Sequence, residues 1–127
     1  MITYQRDIGL QQSAELIARR LGFHWIDASR LVCVRSRGSK SRRTLARCHA
    51  LPKIMQEALG VKAHYVIEVI SENFDRLGPE DRTRTVIHEL MHIPATMGGG
   101  FRHHRPYVNR REVERMYRQL IGGGRFL

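Results

Sequence analysis

Cysteine is scarce in this chain and never spaced as Cys-x-x-Cys: Cys33 and Cys48 stand far apart. Two thiols so placed are a thin basis for a disulfide, or for a second metal site with His49, and both are expected to be buried and reduced. Long apolar runs are missing as well. No stretch is long enough to cross a bilayer as a helix, and the N-terminus lacks the apolar run of a signal peptide, so no membrane partner is expected and the expected location is cytoplasmic. Repeats and long linkers are absent too. With 127 residues, 42% of them hydrophobic, the chain can build one modest core but not two, so residues 1–127 are expected to form a single domain. Aromatic residues are few and lack the pattern that stacks single-stranded bases. Acidic residues are outnumbered, 12 Asp and Glu against 22 Lys and Arg, for a net charge of +10. Arg35, Arg37, Lys40, Arg42, Arg43 and Arg47 gather part of that excess around one stretch, which suits a non-specific DNA or RNA contact; the alternative is a merely solvated basic surface.

What is present is His88-Glu89-Leu90-Met91-His92. On a helix, residues four apart share a face, so both imidazoles can point at one metal ion, with the glutamate a quarter-turn away and free to act on a metal-bound water. The flanking residues predict such a helix over 79–93. Gly78 serves as N-cap, Pro79 suits the first helical position, and Glu80 and Asp81 complement the helix dipole. Val86, Ile87, Leu90 and Met91 supply an apolar face, and Pro94 stops the helix beside His92.

A catalytic zinc takes three protein ligands and leaves one position for water or substrate. The third is expected downstream, where Ala95 to Gly100 allows a reversal and Phe101-Arg102-His103-His104 follows. His104 and His103 are both candidates, and Glu112 or Glu114 could supply a carboxylate ligand instead. The metzincin continuation is absent, since Ala95 stands where its glycine would be and Gly98 where its histidine would be.

The other elements read as follows. Leu10, Ala14, Ile17 and Leu21 trace one face of an N-terminal helix stopped by Gly22. Arg30 to Arg35 and Thr44 to Cys48 read as two strands of a hairpin with the basic stretch as its loop. Pro52 to Leu59 reads as a short helix, His64 to Ile70 as a strand. Val113, Met116, Tyr117, Leu120 and Ile121 mark the inner face of a last helix ended by Gly122-Gly123-Gly124. The expected fold is α+β: a small, mostly antiparallel sheet packed on the metal-binding helix, with N- and C-terminal helices. If the Tyr65–Ile70 strand lies at the sheet edge it forms part of a substrate cleft; otherwise it is an internal core strand.

Tyr65 to Glu72, His88 to Pro94 and Arg102-His103-His104-Arg105-Pro106-Tyr107 together resemble the small metallopeptidase domains of archaea, bacteria and phages, relatives of the SprT-like zincins. Spartan and the weak-suppressor-of-SUMO proteases, which act on proteins crosslinked to DNA, belong to the same broad group. The resemblance covers about the last two-thirds of the chain, and its specific part is residues 64–107. It implies one catalytic Zn2+ held by His88, His92 and His104, with Glu89 as general base in peptide-bond hydrolysis, and a peptide or protein substrate that could be associated with nucleic acid. His103, Arg102, Arg105 and Tyr107 are candidates to stabilise the transition state. Two other readings compete. One is a basic nucleic-acid-binding module with a structural zinc and no peptidase activity; the other is an accessory protein that keeps the fold with a specialised or lost activity. Oligomeric state is not legible.

Overall fold

The computed structural model describes residues 1–122, which share one hydrophobic core. Chain order is β1 (Thr3–Arg6), α1 (Ile8–Arg20), a 3-10 turn at Ala28–Arg30, β2 (Leu31–Arg37), β3 (Ala46–Ala50), α2 (Lys53–Leu59), β4 (Tyr65–Ile70), α3 (Ser71–Phe74), α4 (Pro79–Met91) and α5 (Arg110–Gly122). The four strands form one sheet in the order β1-β2-β4-β3. Two neighbouring pairs are antiparallel, β1 with β2 and β3 with β4, while β2 and β4 run parallel. No helix among the described residues is long and apolar enough to cross a membrane.

This order corrects one expectation and decides one open alternative. β2 and β3 do not form a hairpin, because β4 lies between them, and β4 is internal rather than at the edge. The reason lies in the apolar content of β4. Tyr65, Ile67, Val69 and Ile70 are all wholly buried, and a strand that apolar is most stable with a neighbour on each side. Burying each such side chain contributes roughly 1.5–3 kcal/mol. β3 is therefore the edge strand on this side of the sheet. The basic stretch connects β2 to β3 past the end of β4, where the Asn73 side-chain amide donates to the carbonyls of Ser41 (2.9 Å) and Thr44 (2.7 Å).

Strand alternation sorts the side chains. Tyr65, Ile67 and Val69 of β4, with Leu31 and Cys33 of β2 in register, face the core shared with Ile17 of α1 and Ile87 and Leu90 of α4. Cys33 and Cys48 are both paired with Ile67, one on each side of it. Two strand spacings, about 9.6 Å, separate them, which is beyond disulfide reach. Both thiols are free, and burial pushes each up to about 12. His49 points to the other face of the sheet from Cys48, where it binds Glu68 at 2.8 Å, so the two do not share a metal site.

α4 has the boundaries its caps imply. Gly78 is the N-cap, Pro79 opens the first turn, and His92 closes the last with its amide bonded to the carbonyls of Glu89 and Leu90. Val86, Ile87, Leu90 and Met91 are buried. Thr83 and Thr85 are buried as well, because their hydroxyls donate to the Pro79 and Asp81 carbonyls one turn back, at 2.9 and 2.7 Å. On α5, Val113, Tyr117 and Leu120 are buried and Met116 is partly so, whereas Ile121 is exposed, contrary to expectation. Gly123 and Gly124 lie outside the described residues. β1 and α3 were not legible; β1 is a four-residue edge strand with every residue exposed, and so carries no alternating apolar signal.

Candidate metal centre

His88 projects from the last full turn of α4 and His92 from its cap, placing their Nε2 atoms 3.2 Å apart. After Pro94 the chain turns sharply. Met97 adopts φ 48° and Gly99 φ 110°, and at Gly99 a Cβ would meet the Gln56 side chain at 2.9 Å, so only glycine fits without displacing it. Tyr65 of β4 holds this turn from below: its hydroxyl donates to the Gly100 carbonyl (2.7 Å) and accepts from the Gly99 amide (2.9 Å). Trp25 adds a bond from its indole N–H to the Ile93 carbonyl (3.1 Å).

The returning chain then pairs with the end of the helix. The Arg102 amide donates to the His92 carbonyl, and His92 Nδ1 donates to the Arg102 carbonyl, both at 2.8 Å. The second bond fixes the His92 tautomer, because a carbonyl can only accept, and leaves the Nε2 lone pair facing His88. Two residues further on, His104 completes a triangle with ring centroids 5.4 Å from His88 and 4.7 Å from His92. One ligand atom from each of the three lies within 4.8 Å of the others. A tetrahedral zinc with Zn–N bonds of about 2.05 Å needs nitrogens about 3.3 Å apart. The His88–His92 pair already has that spacing, and the exposed His104 can close the rest, so the group fits the ion.

The electrostatics favour neutral ligands. Burial, reinforced by His92 and His104, lowers the His88 pKa to about 4. His92 is lowered by burial as well, against the opposing bond to Arg102 and with help from His104 and His103. A metal needs an unprotonated imidazole nitrogen, so this bias lessens the competition from protons. Glu89 is 6% exposed, and burial raises its carboxyl to about 7.

A cavity of about 370 Å³ opens beside the three histidines, lined by His88, Glu89, His92, His104, the edge strand at Ala46 to Cys48, and Phe101 to His103. His103 therefore lies in the same cavity but outside the triangle. Glu112 and Glu114 are engaged elsewhere, with Arg115 at 2.7 Å and Arg84 at 2.9 Å. Arg105 and Tyr107 are not among the lining residues, and Tyr107 instead supports the Arg102 guanidinium at 4.7 Å. The contributions of Ala46, Arg47, Cys48 and Phe101 to the cavity, and of Tyr65 to the turn, went unforeseen. Strand pairing between distant segments brings them there, and no local pattern announces it.

An α+β fold whose His-Glu-x-x-His helix lies beside a sheet edge, with a third histidine returning on a loop, has a layout suited to holding a metal ion at the side of an open cleft. Consistent with that layout, residues 2–121 match the family described as "Putative phage metallopeptidase", and the chain belongs to that family. No curated protein and no solved structure matches it.

Proposed function

We propose that the chain is a zinc-dependent peptidase in which His88, His92 and His104 hold the ion and Glu89 is the general base. The observation that carries this reading is the grouping of three imidazoles, their ligand atoms within 4.8 Å of one another, beside a buried carboxylate and an open cavity. Zinc held by the three imidazoles would supply Lewis acidity toward a water and toward a substrate carbonyl. The Glu89 carboxylate takes a proton from the attacking water as the hydroxyl adds to the carbonyl carbon. It returns that proton to the amine nitrogen as the C–N bond breaks, so one water is consumed per bond cut. Arg102 and His103, which line the cavity, are the available donors for the negative charge that develops on the carbonyl oxygen.

β3 positions the substrate. It pairs with β4 on one side only, so its other row of backbone groups can bind an extended peptide as an added strand next to His88 and Glu89. The exposed Arg37, Lys40, Arg42 and Arg43 lead into the start of this strand and support action on proteins held at nucleic acid.

The decisive experiment combines zinc content with turnover of a mixed peptide library, for the wild type and for Glu89→Gln. Zinc at one per chain in both, with hydrolysis reduced about 10²- to 10⁴-fold in the variant, is the expected result. Equal turnover in the two proteins would remove Glu89 as base. A fourth protein ligand in place of an open position would support a structural zinc instead.

A further inference from the structure

A second and larger cavity, about 600 Å³, begins at His88 and Glu89 on the side away from His92. Its apolar lining comes from Leu45 and Ala46 at the start of the edge strand, Leu77 before α4, and Val113 of α5. It shares Ala46, His88 and Glu89 with the histidine cavity, so the two form successive stations along β3. The volume is in the range of small-ligand sites, roughly 300–1,000 Å³.

Charges around this cavity are unevenly satisfied. Arg84 lies over the Tyr117 ring at 4.1 Å and binds two of the three lining carboxyl groups, Asp81 at 3.0 Å and Glu114 at 2.9 Å, while the third, Glu89, is buried at the junction with the histidine cavity. Arg43 and Arg110, both exposed, also line it and make no hydrogen bond or ion pair among the described residues. Away from Glu89 the cavity thus has an apolar interior, two acids neutralised by Arg84 and two uncommitted guanidinium groups, a combination complementary to an apolar side chain accompanied by a carboxylate.

Direction follows from the strand. A peptide added to β3 antiparallel, the pairing β4 already makes with it, runs from the Ala50 end toward the Thr44 end. Beyond the bond held at Glu89, its C-terminal part passes over this cavity. We propose that the cavity is the specificity subsite for the residue directly after the scissile bond, and that it selects a large apolar side chain followed by Asp or Glu. This inference rests on the peptidase reading above, and its test separates the two.

Binding is measured first, by fluorescence anisotropy with zinc-loaded Glu89→Gln and labelled peptides carrying Phe-Glu, Ala-Glu, Phe-Lys or Ala-Lys after a common N-terminal half. Phe over Ala should favour binding at least about tenfold, as burial of a large side chain implies. Glu over Lys should add about two- to fivefold per arginine. The exposed double variant R43E/R110E should invert the Glu-over-Lys preference while keeping Phe over Ala. Thr85→Met, which narrows the interior, should weaken Phe alone. Cleavage of the same peptides by the wild type, with the new N-termini sequenced, gives the second readout. Ordered binding without any cleavage would sink the peptidase reading and, with it, the assignment to a scissile bond, while the selectivity of the cavity for an apolar residue followed by an acid would stand. Cleavage with equal binding of all four peptides, or a double variant that keeps the Glu preference, would overturn the subsite. So would loss of single-stranded DNA binding in R43E/R110E with peptide preference unchanged, since it would assign both arginines to nucleic acid.

Discussion

Replacing Tyr65 by Phe removes one oxygen from the middle of the sheet and should be felt at the metal. The phenol is wholly buried, and its hydroxyl makes the two bonds that hold Gly99 and Gly100, the turn from which His104 returns. The ring remains, so burial in the core and the edge-to-face contact with Phe101 at 6.0 Å are kept. Two hydrogen bonds at roughly 0.5–1.5 kcal/mol each put the lost tether at about 1–3 kcal/mol. Gly100 is exposed and Gly99 half-buried, so water can satisfy the released groups and the core need not open. The cost then falls on the turn, which is no longer held ready for the ion. Zinc affinity, titrated against a competing chelator, should drop by about 5- to 150-fold. Thermal unfolding of the metal-free protein should change little. An affinity within twofold of the wild type, together with a clear loss of metal-free stability, would show that Tyr65 supports the sheet and not the site.

Two further outcomes follow from the charges. Burial alone would raise the Glu68 carboxyl, but hydrogen bonds from Ser36 and His49 and the charge of Arg47 outweigh it and hold the group below its ordinary 4.5. Its stabilising effect is therefore complete above that value and lost as pH falls through the lower folded value. Glu68→Gln should cost about 1–3 kcal/mol at pH 7 by urea unfolding, with the gap to the wild type closing below about pH 4; a gap constant with pH would exclude the charged pairings as its source. The basic connection between β2 and β3 predicts an affinity for DNA that falls steeply with added salt and weakens when Arg37, Lys40, Arg42 and Arg43 are changed to Ala. Affinity that is flat in salt would rule out a phosphate contact.

What the sequence made legible was local. α4 could be bounded from Gly78, Pro79 and Pro94 because caps and breakers act over one turn, and the same spacing aligned His88 with His92. The third histidine was narrower in the residues than a free search but still ambiguous. Which of His103 and His104 turns toward the helix depends on the bonds of Tyr65 and His92 to the loop, and the first of these comes from a strand far away in sequence. Strand order failed for a related reason. A polar stretch between two β-rich runs reads as a hairpin loop, yet β4 enters between them because its buried side chains need cover on both sides. Glu68 lies within that run yet is 5% exposed, held by His49 of the neighbouring strand.

The position of β3 at the margin of the sheet also bears on self-association. A strand with an unpaired row of donors and acceptors can join the same strand of another copy, and that self-pairing leads toward aggregation. Here the open strand is only Ala46–Ala50, and exposed Arg47 and His49 alternate along it on the face away from the core. Two copies meeting edge to edge in antiparallel register would bring their Arg47 side chains toward one another, whereas a peptide without such charge meets no repulsion. The edge can thus remain open to a guest strand while discouraging its own kind.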